Sequence, residues 1–340
     1  MGCANKENSN SPQLALNKIN SIVLEQGDLL FGKFHEHMKI SPDGEYFIFT
    51  DRIRNKVFVF TKNGSFHSVL GEGGRGPKGL IQVVGFDVNQ NNEVFIFDAS
   101  QRLMKLFDLE GELLHTVGMF ENTPFSVTAF GMEWYDGKVL TSILEDEFLN
   151  ETHQSNLMAI MNMDGSLDTL FGTHDPFTKV DNQFSFFSEI AYDVRNNELI
   201  TNLESSPYYQ VFDMETLEQV AYGGGPSESY AKPDSDVDMY APISVKFKKL
   251  TDTSGMAHIF FTDRYIIQHM QILTEEWFKT TDQNAKKNIL ILHDRDTHQF
   301  IQEIPIESII VGAQDNRLYF FEDLNPDNYT IGVYEIIEAE

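Results

Sequence analysis

Paired imidazoles and clustered acids are where chemistry would first be sought in this chain of 340 residues. His35-Glu36-His37 would place two imidazoles on one side of a strand, because side chains alternate along an extended backbone. Such a pair could hold a divalent cation if a third donor joined it. The sequence shows no third donor beside it, so packing or surface roles suit both histidines equally. Glu145-Asp146-Glu147 with Glu151 offers the oxygen ligands that calcium takes, but the spacing fits no EF-hand loop and reads as a solvated acidic turn. Gly71-Glu72-Gly73-Gly74-Arg75-Gly76 satisfies G-x-G-x-x-G, yet a dinucleotide fingerprint opens a helix after a strand. Here Pro77 and an apolar run, Val83–Val88, follow instead, and the segment reads as a linker, as does Gly223-Gly224-Gly225-Pro226. Phe49-Thr50-Asp51-Arg52 recurs as Phe261-Thr262-Asp263-Arg264. The acid reads as a turn cap, and each arginine as an outward group able to grip a carboxylate bidentately. Asp294-Arg295-Asp296 is explained by turn chemistry. No Ser/His/Asp set, cysteine nucleophile or Cys/His cluster is readable in order.

The elements that position these groups are short strands. From Val83 to Gly118 four apolar runs alternate with polar turns, which is the pattern of an antiparallel meander. The landmarks of that unit occur 47 residues earlier: Asp51 becomes Asp98, Phe60 becomes Phe107, Gly64 becomes Gly111 and Gly71 becomes Gly118. A fixed period of this size marks a repeat architecture. The expected fold is all-β, a six-bladed propeller of four-stranded antiparallel blades. Runs such as Tyr46–Phe49, Val94–Phe97, His258–Phe261 and Leu318–Phe321 lack alternation and read as second strands buried on both faces. Blade 5 is then expected to use Ile243–Phe247, Met256–Thr262, Asn288–His293 and Phe300–Ile304, with an insertion, Tyr265 to Lys287. Blade 3 carries a second insertion, Glu145 to Asn156. The last blade shows three strands, and Ile19–Leu24 is a spare one. The ring is therefore expected to close by the N-terminal strand joining the last blade, with residues 1–18 as a flexible tether and 19–340 as one propeller domain.

Acids outnumber Lys plus Arg by 52 to 25, a net charge of −27. Such a field repels nucleic acid and anionic lipid surfaces. Cys3 is the single cysteine and is followed by a polar run to Pro12. That pattern suits the lipidated first residue of a bacterial lipoprotein, with Gly2 ending a signal peptide. A myristoylation signal would want Ser or Thr where Lys6 stands.

The F-D-x-x-G spacing, a glycine seven residues on and the segment GEGGRGP resemble NHL-type repeats, and the chain is most similar to bacterial six-bladed propeller lipoproteins with NHL-like blades. The resemblance implies a lipid-anchored protein of the Gram-negative cell envelope, periplasmic or outer-surface. It does not set the activity, since the fold serves lactonases, lyases, sugar-binding proteins and scaffolds alike. Two readings stand. The first is a monomeric binding or interaction propeller for a small molecule, glycan or protein. The second is a metal-dependent hydrolase or lyase working at the central channel. No cofactor is expected, although the channel could take a divalent cation. In an antiparallel meander the loops after strands two and four share one face of the disc. The binding residues are expected on that loop-rich face: His35, His37, Arg52, Arg102, Tyr208, Arg264, Tyr265, Trp277 and Phe278.

Overall fold

The computed structural model describes residues 13–25, 34–51, 53–119, 125–145, 156–173, 177, 189–232, 242–323 and 329–339. β1 (Leu14–Val23) precedes blade 1, which holds β2 (Phe34–Ile40), β3 (Tyr46–Asp51), β4 (Lys56–Thr61) and β5 (Phe66–Leu70). A two-residue parallel ladder, β6 (Glu72–Gly73) with β7 (Gly79–Leu80), leads to blade 2. Blade 2 contains β8 (Val83–Val88), β9 (Val94–Asp98), β10 (Leu103–Phe107) and β11 (Leu113–Gly118). Blade 3 contains β12 (Phe125–Tyr135), β13 (Lys138–Glu145), β14 (Met158–Met161) and β15 (Leu167–Phe171). Blade 4 contains β16 (Ile190–Arg195), β17 (Glu198–Leu203), β18 (Tyr208–Asp213) and β19 (Gln219–Gly224). After α1 (Ile243–Leu250), blade 5 contains β20 (Ser254–Phe261), β21 (Tyr265–Ile272), α2 (Glu275–Thr280), β22 (Lys287–Asp294) and β23 (Phe300–Ile306). Blade 6 contains β24 (Ile309–Gln314), β25 (Arg317–Asp323) and β26 (Thr330–Glu338), and β1 is its fourth strand.

The ring closes as the spare strand implies: β1 lies antiparallel to β26, from Leu14 opposite Glu338 to Val23 opposite Thr330. The strand begins earlier than Ile19, however, and residues 14–18 belong to the blade and not to a tether. Its polar middle hides it in the sequence. An outermost strand leaves Asn17 and Lys18 exposed, and Lys18 meets Glu322 at 2.7 Å. The Gln302 side chain accepts from Leu14 N and donates to Leu14 O, both at 2.8 Å, which fixes the strand's start.

Both faces of each blade are buried, which accounts for the non-alternating strands. The main hydrophobic clusters straddle neighbouring blades. One joins blade 6 to blade 1 through Phe34, Phe49, Phe60, Tyr329 and Phe321, and another joins blades 1 and 2 through Ile48, Val59, Phe86 and Ile96. The remaining four blade pairs are joined in the same way. The repeated glycine has its own packing reason. Gly64, Gly111 and Gly165 close the turn between strands three and four with positive φ. A Cβ there would lie 2.2 Å from Val23 O, 2.9 Å from Val69 O and 1.9 Å from Gly118 O. Each turn thus presses on the outermost strand of the preceding blade, where only glycine fits.

Blade 5 departs from the expectation. Met256–Thr262 is not its second strand: His258–Phe261 lies in β20, the innermost one. The segment from Tyr265 is not an insertion but a full strand, β21, and the insertion is confined to residues between Ile272 and Lys287. The run Gln268-His269 with Gln271 does not look like a buried strand, yet all three side chains are buried and hydrogen-bonded. Ile243–Phe247 is helical, and Phe247 packs on Phe278 of α2 at 4.5 Å between ring centroids. The acidic insertion 146–155 lies outside the described residues.

Candidate functional site

The first strands of all six blades surround a cavity of about 480 Å³ on the ring axis. Period-two alternation turns His37 and Lys39 into it while Met38 packs between blades. First strands run from the loop-rich face toward the tight-turn face. The cavity therefore has one end near the starts of β2 and β16 and the other near the ends of β8, β12 and β16.

Toward the tight-turn end a cation from one blade meets acids from three others. Lys39 contacts Glu133, and its Nζ lies 3.6 Å from Asp87 Oδ1. Asp87 also accepts from Trp134 N at 2.7 Å, and Asp193 accepts from Phe261 N at 2.8 Å. Each of these aspartates thereby pins the innermost strand of the next blade. Burial by itself would lower Lys39, but Asp87 and Glu133 outweigh it and hold the ammonium above its usual range. Burial pushes Glu133 up to about 8 against the pull of Lys39, and burial also raises Asp193. Three carboxyls sharing one ammonium in a buried site retain a proton more readily than they would in water.

Nearer the loop-rich end the His37 and His258 rings meet edge to face at 4.5 Å, and His258 stacks on His269 at 5.3 Å. His258 is 3% exposed. Burial, with His37 and His269 close by, keeps its imidazole neutral, and burial lowers His269 to about 3. His269 Nε2 bonds Asn288 Oδ1 at 3.0 Å, and Gln271 donates to the same oxygen at 3.2 Å. Gln271 in turn accepts from Lys286 Nζ at 2.8 Å, and Lys286 sits 5.3 Å from the Trp277 ring centre. Glu189 and Glu204 complete this end. Burial, then the charge of Glu189, raise Glu204 well above the ordinary carboxyl range. Three cavity-lining side chains carry a buried polar atom without a hydrogen-bond partner among the described residues: His258 Nε2, Trp277 Nε1 and Gln283 Oε1.

Of the residues expected from sequence, His37 and Trp277 line this cavity together. Arg52 and the His35 side chain lie outside the described residues, as does Cys3. Arg102 stands in the turn after β9 with φ of 53°, on the loop-rich face. Tyr208 stacks on Tyr222 at 5.2 Å, on the outer half of blade 4 and away from the axis. Phe278 holds α2 to α1. Arg264 is the correction of position: it follows β20, a first strand, and so lies on the tight-turn face beside Tyr265, whose ring it covers at 5.5 Å. The Asp51 and Asp98 caps stand as expected, with Asp51 Oδ1 accepting from Ile53 N and Asp98 Oδ1 from Gln101 N. The GEGGRGP linker is sealed by Lys105 and Gln101, both donating to Gly79 O. Sequence reasoning missed Lys39, Asp87, Glu133, Asp193, Glu204 and His258. One signal was present: Phe86-Asp87-Val88 and Tyr192-Asp193-Val194 put an acid at the same place in two innermost strands.

Four-stranded blades in a closed ring around a charged axial cavity define a six-bladed β-propeller. The chain belongs to DUF5128, 6-bladed beta-propeller, whose family pattern matches residues 15–265. Among solved structures, a DUF4221-family member from Bacteroides vulgatus is similar with a TM-score of 0.71 and 10% identity, covering 96% of this chain and 99% of its own. A candidate exported protein from Bacteroides fragilis is similar with a TM-score of 0.65 and 14% identity, covering 96% of each chain. At such identities the likeness is one of fold. No protein of curated function matches the sequence. No helix among the described residues is long and apolar enough to cross a membrane.

Proposed function

We propose that this protein is an extracytoplasmic, lipid-anchored binding propeller that takes a small polar molecule into its axial cavity from the loop-rich face. The observation that carries this reading is the set of unpartnered buried atoms on His258, Trp277 and Gln283 around one cavity. An unsatisfied buried polar group costs about 1–3 kcal/mol, so a ligand that pairs with these atoms recovers that cost. The metal-dependent hydrolase or lyase reading has less support, since no group of three His, Cys, Asp or Glu side chains among the described residues is placed to hold a metal ion.

Small-molecule libraries screened by thermal shift test the cavity. Compounds that raise the melting temperature should lose affinity by about tenfold or more, roughly 1.4 kcal/mol, in Trp277→Ala and Gln283→Ala. Asn63→Ala, in a tight turn on the opposite face, should change nothing. Hits that respond to Asn63→Ala and ignore the two cavity variants would overturn the assignment.

The anchor is carried by Cys3, the single cysteine, ahead of a polar run to Pro12. The similarity in fold to a candidate exported protein agrees with it. Expressed with an export signal, the protein should take up labelled palmitate and partition into detergent, and Cys3→Ala should abolish both. A mature, water-soluble protein with an unmodified Cys3 would refute the anchor and leave the cavity reading intact.

A further inference from the structure

The acids and lysines of the axial cavity act on one another. Lys39 is engaged by Glu133 and Asp87, and Asp193 accepts from Phe261 N. At the loop-rich end Lys286 Nζ donates to the Gln271 amide oxygen and stands near enough to act on Glu204. Glu189 has an interaction of its own. The atoms left over are uncharged. His258 Nε2, Trp277 Nε1 and Gln283 Oε1 are buried, belong to side chains that line the cavity, and have no hydrogen-bond partner among the described residues. All three side chains neighbour Lys286: its charge acts on His258, its Nζ lies 5.3 Å from the Trp277 ring centre, and its backbone N–H donates to Gln283 O at 3.1 Å. The cavity wall adds backbone to this set. β8, β20 and β24 each hold one residue out of register with the second strand, Val84, Ala257 and Val311, and all three line the cavity. A bulge leaves its extra residue outside the ladder.

Resting on the binding reading above, we infer that the ligand is an uncharged polyol, a sugar or cyclitol, whose hydroxyl groups pair with Trp277, Gln283 and His258. The indole N–H only donates, the amide oxygen only accepts, and a neutral imidazole nitrogen does one or the other according to its tautomer. A hydroxyl both donates and accepts, so a molecule carrying several of them satisfies all three atoms in either tautomer. An ammonium only donates and leaves Trp277 unpaired. A carboxylate only accepts and leaves Gln283 unpaired. The carboxylate meets a second cost, because acids outnumber lysines among the residues that line the cavity. The half-buried Trp277 ring also offers an apolar surface to the C–H face of a sugar. The cavity, about 480 Å³, falls within the about 300–1,000 Å³ that small-molecule sites span.

Calorimetry at pH 7 with matched probes tests the class. Glucose, galactose, N-acetylglucosamine and myo-inositol are titrated beside glucosamine, an ammonium analogue, and glucuronate, a carboxylate one. At least one neutral polyol should bind with a Kd below about 1 mM and about tenfold or more tightly than glucosamine and glucuronate. Trp277→Phe, which keeps a ring and removes the N–H, and Gln283→Leu should each weaken that polyol about tenfold or more. Neither residue lies in a strand, so these variants keep the test valid if His258→Phe, within β20, disturbs the blade. Preference for glucosamine or glucuronate would overturn the uncharged class and leave the cavity reading standing. Failure of every polyol would also overturn it, and the cavity reading would survive if hits from the thermal-shift screen still required Trp277. Polyol binding that ignores both Trp277→Phe and Gln283→Leu would overturn the pairing proposed here.

Discussion

Deleting residues 1–25 should leave the protein insoluble, or melted at temperatures where the full chain is folded. The deletion removes the fourth strand of blade 6, with its ladder from Leu14 to Val23 along β26. It also withdraws Leu14, Ile22 and Leu24 from the core, where each is buried. Burying a large aliphatic side chain contributes about 1.5–3 kcal/mol, so losing three approaches the 5–15 kcal/mol by which a typical protein is stable. The bared edge of β26 would carry Ile331, Val333, Ile336 and Ile337 on an unpaired backbone, which invites edge-to-edge association. Deleting residues 1–12 alone should move the melting temperature by no more than about 2 °C, because the paired strand starts after them. Thermal melts and size-exclusion chromatography of both truncations decide the matter. A long truncation that melts like the full chain would show that the ring does not depend on this strand.

Lys39→Met should be among the most damaging single substitutions, and its damage should depend on pH. It leaves Asp87 buried, with Glu133 and Asp193 half-buried, around an uncharged side chain. Breaking a buried ion pair from one side costs about 3–5 kcal/mol. The sign of the pH dependence follows from Glu133, which is raised from 4.5 to about 8 in the folded protein. Between those values the folded state holds a proton that the unfolded state has lost, so stability falls as pH rises through that window. Without Lys39 the charged form is less favoured still, and the fall steepens. Urea unfolding should therefore find the variant nearest to wild type at about pH 5 and furthest from it at pH 8. Glu133→Gln should flatten the same slope in the otherwise wild-type chain. A loss in Lys39→Met that is equal at pH 5 and pH 8 would remove Glu133 from this role.

How far the sequence discloses the molecule depends on whether an interaction stays within one repeat. Asp51 and Asp98 cap the turns that follow them, and Gly64 and Gly111 close turns beside them, so their spacing alone shows the blade. The same reasoning misleads at His258–Phe261. A doubly buried strand followed by Thr-Asp-Arg has the same composition whether it is first or second in its blade. The error carried Tyr265–Ile272 into an insertion, because Gln268, His269 and Gln271 read as surface residues. Their burial rests on partners far away in the chain: Gln268 donates to Asn202 at 2.9 Å, and His293 bonds Gln268 at 2.8 Å. The site is hidden for a related reason. Lys39, Asp87, Glu133 and Asp193 come from four different blades, and no single strand holds two of them. Trp277 and His37 were visible as chemistry, but only closure of the ring brings them to one cavity.

The strand that completes blade 6 also sets the order in which the fold can be assembled. Blades 1 to 5 are each built from consecutive segments, and every one of their ladders joins neighbours in the chain. β1 is synthesised first, yet its partner β26 is synthesised last, with Leu14 facing Glu338. Closing so long a loop from the unfolded chain carries the largest entropic penalty of any pairing in the molecule. Once the intervening blades have stacked, they bring the two ends together and most of that penalty has been met. The low-contact-order blades therefore favour early formation and the seal favours late formation. A chain halted before β26 would have its first five blades yet remain an open arc, with its first strand waiting for its last.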